Sequence, residues 1–311
     1  MKPPLPVPGR HREDPPVPGA PGEPAFIASL RALAAHPAAR GLDDDAAVLE
    51  IGGEAVVLTH DMLVEGTHFL PGADMADVAW KLVATNISDL AAKGAEPLGV
   101  LLGHMLGPDD DRFVEGLEEV LEHYGVPLLG GDTVSGGPPR SFGLTAIGRA
   151  THCPVPSRGG AKPGDAIYVT GPLGAAMTGY EALRDGAEGD STAYRRPMAR
   201  LPEGLLLAPH VNAMMDISDG LLLDAARMAR ASGATLAIEA GLVPLAAPAN
   251  RLHDALRWGD DYELLFTAPP GLALPVPAAW RIGRVEPSGA APILLDGTAL
   301  SEADGLGYQH G

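Results

Sequence analysis

Two short apolar segments joined by Gly52-Gly53 constrain the fold of this 311-residue chain most strongly. The segments 46–51 and 55–59 have the length and composition of strands. A Gly-Gly pair between two strands is typical of a two-residue β-hairpin turn, because the turn needs positive φ angles. This turn would pair Ile51 with Glu54. The first part of the chain is therefore predicted to contain an antiparallel sheet.

The same register brings two acidic side chains together. Counting back from the turn places Asp44 opposite Asp61. Directly opposed carboxylates repel each other unless a cation lies between them. The hairpin therefore predicts a site for a divalent cation. A shifted register, or strands that fray before these residues, is the structural alternative.

Helical and strand patterns are mixed along the whole chain. Helices are predicted at 25–35, 77–93, 109–124 and 219–231, and further strands at 100–102, 126–129, 142–149, 167–170, 213–217 and 262–267. This mixture predicts an α/β or mixed α+β fold. Proline and glycine are concentrated between residues 150 and 165, which predicts two domains at 23–150 and 151–311. Residues 1–22 are rich in proline and are predicted to form a disordered tail.

Charge and composition narrow the classes of protein. The formal net charge of −18 disfavours binding to nucleic acid or to anionic membrane surfaces. No stretch reaches the roughly 18 apolar residues of a membrane span, and the N-terminus lacks the apolar region of a secretory signal. The single cysteine, Cys153, rules out a disulfide within the chain, so a cytoplasmic location is expected. Such an acidic protein also repels nucleoside triphosphates unless cations lie between them.

Further aspartates lie at the ends of predicted apolar elements. They are Asp89 in the helix 77–93, Asp132 after the strand 126–129, Asp216 and Asp219 around the end of the strand 213–217, and Asp260 and Asp261 before the last strand. Structural alternatives exist: Asp89 pairs with Lys93 one turn later, and Asp132 forms an Asx-turn. Asp219 compensates a helix dipole, and the acids at 260–261 belong to a solvated turn.

Taken together, these acids predict a site for several hard cations. Carboxylate oxygens prefer Mg²⁺ or Mn²⁺, and the chain lacks the Cys/His cluster of a zinc site. Ions held in this way also offset the repulsion between the protein and a bound phosphate. No covalent nucleophile is predicted, since the chain has neither a Gly-x-Ser-x-Gly elbow nor a P-loop. If Asp44 and Asp216 are ligands, replacing either with Asn should reduce turnover far more than stability.

Seven motifs follow one another along the chain: DDAAV at 44–48, DMLVEGTHF at 61–69, NISDLAA at 86–92, GGDT at 130–133, Arg158 with GAKPGD at 160–165, DISDGL at 216–221 and GDDYEL at 259–264. Together these motifs resemble the thiamine-monophosphate kinase family. They extend in order over nearly the whole chain after residue 22. Three positions depart from the usual family pattern: Asp43 replaces Gly, His60 replaces Thr and Lys93 replaces Met.

The resemblance implies a fold, a reaction and a set of residue roles. The fold is the two-domain fold of aminoimidazole ribonucleotide synthetase, with an N-terminal domain that binds ATP and Mg²⁺ and pairs with its copy in a homodimer, and a C-terminal α/β domain. The reaction is ATP-dependent phosphorylation of thiamine monophosphate to thiamine diphosphate by direct in-line transfer, the last step of thiamine diphosphate biosynthesis. Metal binding falls on Asp44, Thr59, His60, Asp61, Asp89, Asp132, Asp216 and Asp219. ATP contacts fall on Gly131, Asp132, Arg158 and Ser218, and contacts to thiamine monophosphate on His68, Glu263 and Tyr308.

Two other functions remain open from the sequence. One is another ATP-using enzyme of the same superfamily, such as aminoimidazole ribonucleotide synthetase or selenophosphate synthetase. The second of these uses an N-terminal cysteine or selenocysteine, whereas the one cysteine here is Cys153. The other function is a nucleotide- or metal-binding module without catalysis, which would not need the acceptor residues His68 and Glu263.

Overall fold

The hairpin around Gly52-Gly53 forms with the predicted register. In the computed structural model, which describes residues 22–309, β1 (Ala47–Ile51) pairs antiparallel with β2 (Glu54–Val64). Ile51 lies opposite Glu54, and both glycines have positive φ angles. The predicted Pro-rich tail lies outside the described residues except for its last residue.

The opposed pair of aspartates does not form. The β1–β2 ladder ends where Ala47 pairs with Leu58, so Asp44 precedes the paired region. The prediction that Asp44 lies directly opposite Asp61 is wrong for this reason. Asp61 instead pairs with Leu144 on a neighbouring strand.

The first half of the described chain forms one sheet. Its helices are α1 (Glu23–Arg31), α2 (Met75–Ala92) and α3 (Asp110–Tyr124), and its other strands are β3 (Ala95–Leu106), β4 (Leu128–Ser135) and β5 (Ser141–Ala150). The strand order is β1-β2-β5-β3-β4, and only β3 and β4 are parallel neighbours among these strands. Strand β3 is much longer than the predicted 100–102. The prediction was too short because polar residues and Pro97 interrupt the apolar pattern of this strand.

The second half of the described chain forms a second sheet. Its helices are α4 (Ala175–Asp185), α5 (Thr192–Arg195), α6 (Leu201–Leu207), α7 (Leu221–Ser232) and α8 (Leu252–Trp258). Its strands are β6 (Ala166–Val169), β7 (Ala213–Asp216), β8 (Ala234–Ile238), β9 (Leu264–Ala268), β10 (Trp280–Pro287), β11 (Ile293–Leu295) and β12 (Thr298–Leu300), in the order β12-β11-β8-β10-β6-β9-β7. The mixed α/β class is therefore confirmed. None of the described helices is both long and apolar enough to cross a membrane.

Helix α2 joins the two halves. Every residue of α2 except Trp80 is buried, including polar residues such as Lys81, Asn86 and Asp89. Its start is fixed by Asp74, whose side chain accepts a hydrogen bond from the Ala76 amide. The helix contacts β2 and β5 of the first sheet and β7 and α6 of the second half. Asp89 lies in its last turn and Lys93 is its C-cap, so both side chains are placed where the halves meet.

Strand β7 is the edge of the second sheet that contacts α2. It ends at Asp216, and α7 begins at Leu221 after the N-cap Gly220. Gly220 has φ 113°, and a Cβ atom there would lie 2.7 Å from the backbone of Arg257, so the turn requires glycine. The sequence predicted that this helix starts at residue 219. That prediction is wrong, because the turn continues two residues further.

Candidate active site

A cleft of about 1070 Å³ lies between the two halves, where α2, β2, β7 and the segment 42–45 meet. Its lining includes the predicted site residues Asp44, His60, Asp61, His68, Asp89, Arg158, Asp216, Ser218, Asp219 and Tyr308. Eight of these side chains come from five of the seven sequence motifs, and His60 and Tyr308 lie outside the motifs. The fold therefore brings together residues that are far apart in the chain.

Three carboxylates form the centre of the cleft. Asp45, Asp89 and Asp216 each place one carboxylate oxygen within 4.8 Å of the other two. Asp45 precedes β1, Asp89 lies on α2 and Asp216 ends β7, so three separate elements contribute. Asp45 is a site residue that the sequence analysis did not assign, although it adjoins Asp44.

Burial and neighbouring negative charges raise the pKa values of three acids in the cleft, Asp61, Asp89 and Asp216. Burial, followed by the charges of Asp219 and Asp45, raises the pKa of Asp61 to about 6. Burial and the charge of Asp45 raise the pKa of Asp216 to about 8. Burial and the charges of Asp61 and Asp216 raise the pKa of Asp89 well above its ordinary value. Without a cation, this part of the cleft therefore favours protonated carboxyl groups.

Hydroxyl groups hold two of these acids in place. Ser88 Oγ donates to Asp216 Oδ2 at 2.6 Å, and Thr59 Oγ1 donates to Asp89 Oδ2. Thr59 is buried and does not line the cleft, so the structure places it behind a carboxylate rather than at the surface of the site. The hydroxyls orient the carboxylates but do not neutralise them.

Cations of the protein neutralise the acids at the other end of the cluster. Lys93 forms ion pairs with both Asp44 and Asp45. Arg40 lies 2.6 Å from Asp44, and Arg158 lies 2.5 Å from Asp45. Although burial acts in the opposite direction, Lys93 and Arg40 hold the pKa of Asp44 well below its ordinary value. The predicted Asp89–Lys93 pair is thus replaced by pairs to the segment before β1.

The buried side chain of Asp224 holds the turn that follows β7. Asp224 Oδ2 accepts hydrogen bonds from the amides of Ser218 and Asp219 at 3.1 and 3.0 Å. Arg227 bridges the Asp219 and Asp224 carboxylates, at 2.6 and 2.9 Å. Burial raises the pKa of Asp224 to about 6, although Arg227 opposes this. These contacts hold Ser218 and Asp219, two predicted site residues that line the cleft, in place.

Two of the three residues predicted to bind the acceptor line the cleft, and the third is buried. His68 and Tyr308 line the cleft, and His68 Nδ1 accepts a hydrogen bond from the Val64 amide at 3.0 Å. Glu263 is not part of the lining. Its carboxylate is buried and accepts hydrogen bonds from Arg200 at 2.8 and 2.5 Å and from Thr170 at 2.7 Å.

Three other predicted residues lie on strands rather than at the centre of the cluster. His60 lines the cleft, and its Nδ1 lies 2.9 Å from Thr145 Oγ1. Gly131 and Asp132 lie on β4, an exposed edge strand, and do not line the cleft. In a single chain, then, these two residues are apart from the carboxylate cluster.

Three functional candidates were missed from the sequence: Asp45, Lys93 and Asp224. Asp45 adjoins an assigned acid, and Asp224 lies in the first turn of α7, where an acid has an ordinary helix-dipole explanation. Lys93 caps the C-terminus of α2, and its partners are more than 45 residues away. Such long-range pairs give no local pattern in the sequence.

The donor set of the cleft fits a hard divalent cation. All three central ligand atoms are carboxylate oxygens, which Mg²⁺ and Mn²⁺ prefer. The raised pKa values of Asp89 and Asp216 indicate too little positive charge around these two acids, whereas Asp45 is paired with Lys93 and Arg158. Asp45, Asp89 and Asp216 would hold such an ion, and Asp61 and Asp219 lie in the same cleft.

Family comparisons agree with this architecture. The model of the AIR synthase related protein N-terminal domain matches residues 43–150, and that of the C-terminal domain matches residues 162–293. The fold and the acidic cleft thus define a member of the AIR synthase related class.

Individual relatives narrow the class. The thiamine-monophosphate kinase of Escherichia coli K12 is 38% identical over 253 residues, which cover 74% of this chain and 76% of that protein. The structure of AaThiL complexed with AMPPCP and TMP has a TM-score of 0.84 and 29% identity, and the match covers 93% of this chain and 97% of that one. The thiamine monophosphate kinase structure from Aquifex aeolicus has a TM-score of 0.78 and 29% identity, with 89% and 97% covered. This chain belongs to the thiamine-monophosphate kinase family.

Proposed function

We propose that this chain transfers the γ-phosphoryl group of ATP to the phosphate of thiamine monophosphate, giving ADP and thiamine diphosphate in the last step of thiamine diphosphate biosynthesis. The observation that carries the proposal is the convergence of Asp45, Asp89 and Asp216 in one cleft. The cleft also contains His68 and Tyr308, the residues proposed to contact the acceptor. The family relationship and the structural match to a protein complexed with AMPPCP and TMP support the choice of substrates.

The proposed chemistry is a direct in-line displacement. An oxygen of the acceptor phosphate forms a bond to the γ-phosphorus as the bond from that phosphorus to the bridging oxygen of ADP breaks. The acceptor oxygen is ionised at neutral pH, so the residues of the chain need not remove a proton. Their task is to align two anions and offset their repulsion. Bound Mg²⁺ would supply most of that positive charge.

Within this proposal, individual residues have distinct tasks. The carboxylates of Asp44, Asp45, Asp61, Asp89, Asp216 and Asp219 would hold Mg²⁺, with Thr59 orienting Asp89 and His60 at the edge of the group. Arg158 and Ser218 would contact the nucleotide from one side of the cleft. Glu263 would act through Arg200, with which it is paired.

A homodimer is part of the proposal. The β3–β4 edge of the first sheet exposes large apolar side chains, among them Leu101, Leu106, Leu128, Leu129 and Val134, each between 39% and 56% exposed. An exposed apolar edge strand favours pairing with another chain. Gly131 and Asp132 lie on β4, away from the cleft of their own chain. In a homodimer they would contact a nucleotide bound near the interface.

The remaining assignments are also proposals. We assign residues 23–150 to an N-terminal domain for ATP, Mg²⁺ and dimerisation, and 151–311 to a C-terminal α/β domain. The segment 151–165 contains no helix or strand, which supports a boundary there. A cytoplasmic location remains the expectation from the single cysteine.

The test is an assay of the full-length protein with ATP, Mg²⁺ and thiamine monophosphate, with both products identified by mass. We expect ADP and thiamine diphosphate in equal amounts. A parallel reaction with other phosphate acceptors tests the selectivity. Transfer only to a different acceptor would indicate another enzyme of the AIR synthase related class. Binding of ATP without turnover on any acceptor would indicate a nucleotide-binding module.

A further inference from the structure

A lysine lies inside the acidic cluster with no access to solvent. Lys93 is the C-cap of α2, and its side chain is 0% exposed. Its ammonium forms ion pairs with Asp44 and with Asp45, the latter at 2.6 Å, and lies 3.4 Å from the carbonyl oxygen of Met214. A buried ammonium costs free energy unless it is paired. Its burial at this point therefore needs an explanation beyond core packing.

Neither carboxylate depends on Lys93 as its only partner. Asp44 also pairs with Arg40, and Asp45 also pairs with Arg158. The lysine thus adds a further positive charge to acids that already have one cation each. Its charge acts on the rest of the cluster, because Asp45 lies within 4.8 Å of the central carboxylates.

We propose that Lys93 is a positioning residue that serves as a built-in cation of the site. It holds Asp44 and Asp45 against the end of α2 and weakens the binding of free divalent ions to the cluster when no nucleotide is present. Tight binding of these ions then requires the phosphates of the nucleotide. This inference rests on the proposed function for its biological use, but the charge effect itself is a property of the chain.

The direction of the effect follows from electrostatics. A fixed positive charge a few ångströms from a divalent ion repels it, and the repulsion is strong in a partly buried site. Replacing Lys93 with methionine removes the charge and keeps a linear side chain of similar length. Since Arg40 and Arg158 still pair with the two acids, we expect the variant to fold.

The experiment measures Mn²⁺ binding to the full-length protein without nucleotide or acceptor, by calorimetry and by electron paramagnetic resonance. We expect Lys93→Met to bind Mn²⁺ about tenfold more tightly than the wild type or to take up one additional ion. Lys93→Arg should stay close to the wild type, because it keeps the charge. Lys162→Met is the matched control, since Lys162 is exposed and bonds to Asn212 rather than to the cluster.

Two results would overturn the proposal: unchanged Mn²⁺ binding in Lys93→Met, or weaker binding in a variant that unfolds at the same temperature as the wild type. If Lys93→Met does not fold, Lys93→Gln provides the same neutral comparison with a polar side chain, and the same outcomes apply. The readout involves neither ATP nor thiamine monophosphate. If the wild-type protein fails to phosphorylate thiamine monophosphate, the proposed function is contradicted. The comparison of Mn²⁺ binding between the wild type and Lys93→Met still tests the role of Lys93.

Discussion

Asp44 and Asp216 lie in the same cleft, yet their surroundings are opposite. Asp44 is paired with Arg40 and Lys93, which hold its pKa well below the ordinary value. Asp216 has a hydroxyl donor, Ser88, and its pKa is raised to about 8 by burial and by neighbouring acids. One end of the cluster is neutralised by the protein, and the other lacks positive charge. The comparison teaches that the uncompensated end is where an external cation is needed.

The largest expected effect is on turnover when the uncompensated end is changed. Asp216→Asn should lower kcat about 10²–10³-fold, because a proposed ligand of the Mg²⁺ that offsets the charge of the reacting phosphates is lost. The metal-free variant should be at least as stable as the wild type at pH 8, since repulsion is relieved and Ser88 can still donate to the amide oxygen. Steady-state kinetics and chemical denaturation measure the two effects.

Asp185→Asn is the control for that prediction, because Asp185 is exposed and forms a surface ion pair with Arg184. It should change neither quantity measurably. If the Asp216→Asn enzyme keeps wild-type turnover at limiting Mg²⁺, the claim that the Asp216 end of the cluster needs an external cation is contradicted.

The neutralised end should respond mainly in stability. Asp44→Asn leaves Arg40 and Lys93 with fewer partners, so the free energy of unfolding should fall by about 2–3 kcal/mol. The expectation from the sequence, that this substitution costs little stability, assumed opposed carboxylates that do not form. Denaturation in urea with EDTA tests the revised expectation. A loss no larger than that of Asp185→Asn would show that the ion pairs of Asp44 contribute little.

The pH dependence should follow the uncompensated end. Asp61 and Asp216 have pKa values of about 6 and 8, above the value of about 3.9 in unfolded chains. The folded metal-free protein therefore holds protons that the unfolded chain has released. This contribution to stability is complete at low pH and is lost as the pH rises through 6 and then 8.

The Tm of the EDTA-treated protein should accordingly fall between about pH 5.5 and about pH 8.5. Added Mg²⁺ should stabilise the protein more at the higher pH, because the ion replaces the lost protons. The measurement is thermal unfolding across this range with and without the ion. A Tm that is flat or rises with pH in EDTA would mean that the acids are not protonated in the folded state.

The smallest effect concerns the hydroxyl that orients Asp216. Ser88→Ala should lower the free energy of unfolding by about 1 kcal/mol and weaken Mn²⁺ binding only a few-fold. The hydroxyl positions the carboxylate but carries no charge. Ser29→Ala, at an exposed residue of α1, is the matched control. A loss of Mn²⁺ binding as large as that in Asp216→Asn would show that Ser88 does more than orient its partner.

Local features of the fold were predictable, because short-range chemistry determines them. The Gly52-Gly53 turn and its Ile51–Glu54 register follow from turn geometry, and Gly125 ends α3 in the left-handed conformation expected of a C-terminal glycine. Strands β8 and β10 to β12 were not predicted from the sequence.

The site was predictable in its residue types and less so in its arrangement. Asp89 and Asp216 were found because acids at the ends of apolar elements are unusual. The pairing of Lys93 with Asp44 and Asp45 was missed because it depends on how α2 packs against a segment about 50 residues earlier in the chain. The buried position of Glu263 likewise depends on Arg200, which no sequence spacing relates to it.

The central claim is that acids from distant parts of the chain bind divalent ions together in the cleft. Anomalous diffraction from crystals grown with Mn²⁺ and a non-hydrolysable ATP analogue tests it most directly. The account predicts a manganese peak within coordination distance of the carboxylates of Asp45, Asp89 and Asp216. Nucleotide bound in the cleft with no manganese peak at these three side chains would contradict it.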